Sequence, residues 1–181
     1  MPKLSKYKFN TTNQCFKFIS KNLEKGNYKE AGDVYQQFCT EWHNAYSDYV
    51  EIYDADDKDN IPGHIIKKID ASGILDKGAN AYGIDKICVT RQGEIDVHQD
   101  KSYLHNDKNI SAKKAEALMS LRENGLTNIR NFCFNTTARG LSRYKDVWKE
   151  QPPIVYSYGD FIATTPDDKN KDLDFWININ N

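Results

Sequence analysis

Asp85, Gln99 and Lys101 are the residues of this chain whose types and spacing could do chemistry together. A carboxylate oxygen and an amide oxygen can hold a hard divalent cation. An ammonium beside them can orient water or balance the charge that develops on a phosphate. In such a set Asp85 and Gln99 are the ligands of magnesium or manganese, Lys101 polarises the attack, and the reaction is hydrolysis of a phosphodiester.

Two short runs position these residues. Gly83 to Thr90 and Glu94 to Lys101 carry β-branched residues at period two and flank Arg91-Gln92-Gly93, a three-residue loop ending in the glycine that a hairpin of this kind favours. Pairing Thr90 with Glu94 and stepping outward sets Asp85 across from Gln99. Opposed residues stand about 4.5–5.5 Å apart at Cβ, within reach of one cation. Alternation then puts Ile95, Val97, Gln99 and Lys101 on one face and Glu94, Asp96, His98 and Asp100 on the other. A one-residue slip would pair Asp85 with Asp100 instead, and it is the less favoured arrangement.

The elements around the hairpin predict an α/β fold, a central mixed β-sheet flanked by helices. Helical spacing runs from Thr12 to Gly26 and from Tyr28 to Ala45, the second run presenting Ala31, Val34, Tyr35, Phe38 and Trp42. Tyr49 to Tyr53 reads as a strand, Asp54 to Asp59 as a solvated acidic loop, and Ile61 to Ile69 as a short helix. Residues 72–80 form a turn-rich approach to the hairpin. Ser111 caps a helix through Glu123 closed by Asn124-Gly125, which can serve as the crossover to a strand at Ile129 to Asn135. Leu141 to Glu150 reads as helix and Ile154 to Tyr158 as strand. The expected organisation is a loose arm over 1–10, one domain over 11–165, and a polar tail over 166–181 that can dock back.

A chain of 181 residues fits one domain with a sizeable core. Its longest apolar runs fall short of a membrane span, and Met1-Pro2-Lys3-Leu4-Ser5-Lys6 lacks a signal-peptide core, so an intracellular, non-membrane protein is expected. Cys15, Cys39, Cys88 and Cys133 are far apart with no Cys-x-x-Cys pair, which favours buried reduced thiols over zinc or disulfides. With a net charge of −1, any nucleic-acid affinity must come from a local basic patch. Candidates are Lys101, Lys108, Lys113, Lys114, Arg139, Arg143 and Lys145, and Thr136 and Thr137 sit at a strand end where phosphate contact is available. His43, His64, His98 and His105 show no ligand spacing among themselves.

Several stretches together resemble a known family. They are Gly32-Asp33-Val34-Tyr35-Gln36-Gln37-Phe38-Cys39, Tyr82-Gly83-Ile84-Asp85-Lys86-Ile87, Val97-His98-Gln99-Asp100-Lys101-Ser102-Tyr103, Ile110-Ser111 and Phe134-Asn135-Thr136-Thr137. Over roughly residues 28–165 they are similar to the restriction-endonuclease-like (PD-(D/E)xK) superfamily, and to its Mrr-type nuclease domain. That domain often stands at the N-terminus of helicases in phages, viruses and bacterial defence systems.

The resemblance implies a central mixed sheet flanked by helices, with Asp85, Gln99 and Lys101 as the catalytic set and Mg2+ or Mn2+ as cofactor. It also implies DNA as substrate and a helicase as partner; Lys113, Lys114, Thr136, Arg139 and Arg143 are the residues expected along the DNA backbone, and a homodimer is a further expectation. The family usually carries a Glu in the early helix where this chain has Gln36, so Gln36, or Glu41 a little over one turn on, takes the supporting role. The rival expectation is a catalytically inactive nuclease-like module that binds DNA or docks a partner.

Overall fold

Thr11 opens the helical part of the chain by accepting a hydrogen bond from the Gln14 N–H, which caps α1 (Thr12–Glu24). Gly26, at φ +78°, turns the chain into α2 (Tyr28–Tyr46). Cys15, Phe16 and Ile19 of α1 and Ala31, Val34, Tyr35 and Phe38 of α2 recur at helical intervals, and all are buried. These positions come from a computed structural model, which describes residues 3–70, 73, 75, 83–142, 148 and 151–181.

The sheet is mixed and five-stranded, in the order β1 (Tyr49–Asp54), β2 (Lys86–Thr90), β3 (Ile95–Lys101), β5 (Asn131–Thr136), β7 (Ile154–Tyr156). β1, β2 and β3 pair antiparallel, whereas β5 and β7 run parallel to β3. The crossover between β3 and β5 contains α4 (Glu116–Asn124), entered through a 3-10 turn that Ser111 caps and closed by Gly125. Helix α3 (Gly63–Ile69) lies between β1 and β2 in sequence. An α/β fold with helices flanking a central mixed sheet is therefore observed. The short pair β4 (Asn109–Ser111) and β6 (Gly140–Ser142) forms a separate parallel ribbon.

The two faces of the sheet differ. Ile87, Val89, Ile95, Val97, Phe132 and Phe134 belong to an apolar cluster with Ile65, Ile69, Leu118 and Met119 of α3 and α4. The alternate residues Lys86, Asp96, His98, Asp100 and Asn135 are equally buried but polar, and α2 lies over them. Beyond α2 a second apolar cluster joins α1 and α2 to Phe161, Phe175 and Trp176.

Three segments differ from what spacing predicts. Residues 4–7 form a 3-10 turn with Leu4 buried and Phe9 buried behind it, so this part of the arm is held by apolar contacts. Residues 140–142 are strand β6 rather than helix, because they pair with β4; residues 143–147 lie outside the described residues, as does most of 71–82. Residues 166–180 form a full helix, α5 (Pro166–Asn180), begun by the reciprocal capping of Thr165 and Asp168. Asp172 of α5 accepts from the Thr12 N–H and hydroxyl, and the Trp176 indole donates to the Thr12 hydroxyl. No described helix is long and apolar enough to cross a membrane.

Candidate active site

The hairpin closes as its sequence predicts. The Thr90 N–H donates to the Glu94 carbonyl at 2.9 Å, Gly93 sits at φ +75°, and the pairs Val89–Ile95 to Lys86–His98 follow one register. That register breaks one residue before Asp85 would face Gln99. The Asp85 N–H donates to the His98 carbonyl, which also lies opposite Lys86, and Gly83 at φ +70° bends the incoming chain.

As a result the Asp85 carboxylate lies on the α2 side of the sheet. Its Oδ2 accepts from the Asp100 N–H at 2.7 Å, and its Oδ1 accepts from Gln36 Nε2, also at 2.7 Å. The amide orientation follows from charge, since a carboxylate can only accept. Burial raises the Asp85 carboxyl to about 6 against the pull of Lys86 and Lys101, whose positive charges favour ionisation.

Gln99 occupies the opposite face. Its amide packs over Gly83, where a Cβ would stand 2.0 Å from Gln99 Nε2 and 3.6 Å from the Ala117 side chain on α4. Only 2% of the residue is exposed, and its Oε1 has no hydrogen-bond partner among the described residues. The structure thus brings Asp85 to Gln36 and not to Gln99. Lys101, at the exposed end of β3, acts on Asp85 through its charge.

Asp85 lines a cavity of about 210 Å³ between α2 and the β1–β2 edge, together with Glu41, Asp54, Gln36, Gln37 and Lys86. Burial raises the Glu41 carboxyl, and Gln37 Oε1 is buried without a hydrogen-bond partner among the described residues. Asp54, expected in a solvated loop, ends β1 and lines this cavity. The donors are all oxygens, the kind that magnesium prefers, and one or two carboxylates with waters and substrate oxygens suffice for it.

The tightest potential ligand group among the described residues lies elsewhere: Asp96, His98 and Cys133 have ligand atoms within 4.8 Å of one another. Their valences are already used. Arg130 grips both Asp96 oxygens at 2.9 and 2.6 Å, and the Tyr49 hydroxyl donates to Asp96 at 2.6 Å and lies 3.0 Å from His98 Nε2. A guanidinium on the carboxylate opposes a second cation there, so this group reads as a hydrogen-bonded part of the core.

A buried polar chain runs from the cavity across the sheet. Lys86 pairs with Asp100, Asp100 Oδ1 accepts from Asn135 Nδ2 at 2.6 Å, and Asn135 Oδ1 meets His43 Nε2 at 3.1 Å. His43 Nδ1 ends the chain 2.8 Å from the Ser47 hydroxyl, while Asn135 Nδ2 also reaches His98 Nδ1 at 3.1 Å. Burial lowers the His43 pKa to about 4 and that of His98 well below its ordinary value, so both rings are neutral. Sequence reasoning missed this layer. The available signal was the i, i+4 series Tyr35, Cys39, His43, which marks His43 as inward-facing.

Among the basic residues, Lys113 and Lys114 are exposed on the 3-10 turn before α4. Arg139 is exposed beside Lys108, whose carbonyl accepts from the Arg139 N–H at 3.1 Å. Lys101 pairs with Thr136 across adjacent parallel strands, which sets Lys101 and Arg139 at the same end of the sheet. Thr136 itself is fully buried, with its hydroxyl accepting from the Ala138 N–H, so it is not placed for phosphate contact. Thr137 is tied to Tyr103, and Arg143 and Lys145 lie outside the described residues.

No protein-family model, curated protein or solved structure matches this chain.

Proposed function

We propose that the chain is a metal-dependent DNA endonuclease domain built around Asp85. The observation that carries this reading is the Asp85 carboxylate itself. It is oriented by Gln36 Nε2 and the Asp100 N–H, lines a cavity with Glu41 and Asp54, and stands in the field of Lys86 and Lys101. Each Asp85 oxygen keeps a lone pair beyond its one hydrogen bond, which suits it to a divalent cation. Magnesium or manganese held by Asp85, with Glu41 or Asp54 beside it, would supply an activated water and neutralise charge on the phosphate.

The chain's own groups do the rest. Gln36 takes the supporting role as an orienting donor, since its amide fixes the carboxylate instead of ligating alongside it. Lys86 is held by Asp100 and lines the cavity, and its charge counters the cost of keeping Asp85 ionised near neutral pH. Lys101, Lys108, Lys113, Lys114 and Arg139 are the exposed cations that would follow a DNA backbone. The resemblance to Mrr-type nuclease domains supports the same substrate and adds a helicase as the expected partner.

Plasmid cleavage with magnesium or manganese tests the reading. Wild type is expected to cut, Asp85→Ala to be inactive and Lys101→Ala to be impaired; equal cleavage by wild type and Asp85→Ala rejects it. The second reading, a nuclease-like module that binds without cutting, is favoured by one observation: Gln99 is packed over Gly83, away from Asp85. Salt-sensitive DNA binding with no manganese uptake in calorimetry would select it.

A further inference from the structure

A second cavity, of about 290 Å³, lies where α2 meets α5 and the helical turn Tyr158–Phe161, and its walls are unlike those of the Asp85 cavity. Four aromatic side chains line it: Trp42 and Tyr46, one turn apart on α2, with Phe161 and Phe175. The rings form a continuous lining. Trp42 and Phe161 have centroids 5.0 Å apart, Trp42 and Tyr46 5.5 Å, and Tyr46 and Phe175 5.9 Å. The Tyr46 hydroxyl donates to the Lys171 carbonyl at 3.0 Å and so fixes that ring against α5.

The charge at this cavity is negative. Asp160, Asp168 and Asp172 line it against the one cation Lys171. Each carboxylate is held in place by a neighbour, Asp160 by Ser157, Asp168 by Thr165 and Asp172 by Thr12. Preoriented carboxylates beside tryptophan and tyrosine rings favour a compact cation with an apolar surface, because the rings offer it both dispersion and the negative potential of their faces. The same charges repel phosphate, so the cavity does not extend a nucleic-acid surface.

We infer that the cavity between Trp42, Tyr46 and α5 binds a small alkylammonium group, with Asp168 and Asp172 as its counter-charges. The inference is independent of the chemistry at Asp85. The volume suits a quaternary ammonium head or the end of one aminoalkyl chain.

The chain has three tryptophans, so the Trp42 indole signal can be assigned in an amide correlation spectrum with the help of Trp42→Phe. Titration of the full chain with choline chloride, and separately with butylammonium chloride, is expected to move that signal saturably, while sodium chloride at equal ionic strength leaves it in place. Lys171→Glu, a change at an exposed side chain, is expected to tighten binding several-fold, and Asp172→Asn to weaken it about as much. A Trp42 signal that no ammonium moves, or that sodium moves equally, overturns the inference. An affinity indifferent to Lys171→Glu overturns the role given to the carboxylates.

Discussion

Asp85 and Asp100 meet through the backbone of one and the side chain of the other: the Asp100 N–H donates to Asp85 Oδ2 at 2.7 Å. The Asp100 carboxylate turns instead to Lys86 and Asn135. Asp85, just before β2, thus serves the cavity, and Asp100, on β3, serves the interior.

Acidification should expose this arrangement. His43 and His98 are neutral in the fold with lowered pKa values, so the unfolded chain binds their protons first as pH falls below about 6.5. Stability is then lost down to about 4 for His43, by roughly 3 kcal/mol at most. Asp85 works the other way. Its raised pKa lets the folded state take up a proton near 6, before the unfolded chain does, which restores some stability over an overlapping window. Chemical denaturation at pH 7.5 and 4.5 is expected to show a net loss in wild type, a larger loss in Asp85→Asn and a smaller one in His43→Gln. Identical pH slopes in all three proteins would contradict the assignment.

Breaking the Lys86–Asp100 pair from one side should be costly. Both side chains are buried, and removing one strands the other charge, at a cost of roughly 3–5 kcal/mol. Lys86→Met should lose about that much in urea unfolding. Lys86→Met with Asp100→Asn should recover most of it, because Asn can still accept from Asn135. Failure of the double variant to recover would mean that the pair matters for more than charge balance.

Gly83→Ala is expected to destabilise the chain by two separable routes. A φ of +70° costs a residue with a side chain about 1–2 kcal/mol, and the new Cβ would displace the Gln99 amide. Adding Gln99→Ser should relieve the steric share and leave the backbone share. Thermal melts of the two variants separate them, and equal melting temperatures would show that Gln99 does not press on Gly83.

Trp176→Ala should cost about 3–5 kcal/mol, the usual range for a fully buried large aromatic. Its indole also bonds Thr12, so the loss should loosen α1 as well as α5. Hydrogen exchange is expected to rise in residues 12–24 and 166–180 together; exchange rising in α5 alone would show the two helices to be independent.

Much of the sheet was legible in the sequence. The Arg91-Gln92-Gly93 turn, the register up to Lys86 and the inward alternation of Ile95 and Val97 follow from period-two patterning and turn chemistry, which are local. The site was legible only in part. Asp85 and Gln36 were picked out as members of one site, and the structure joins them. Facing Asp85 with Gln99 failed because the bend at Gly83 and the extra bond to the His98 carbonyl shift the last residue, which strand periodicity cannot anticipate. The polar face of β3 was read as turning away from the site, because nothing local announces that α2 will cover it. Residues 140–142 depend on partners at 109–111, far back in the chain, and α5 depends on capping by Thr165 within a segment of mostly polar side chains.

The union of α5 with Thr12 has a bearing on biogenesis. During vectorial synthesis α1 and α2 are made well before α5, the helix that seals Phe16, Phe38 and their neighbours. Until α5 has been made, a nascent chain of this kind presents a sticky aromatic surface to the ribosome exit and its chaperones. Premature termination anywhere before residue 166 would release that surface for good.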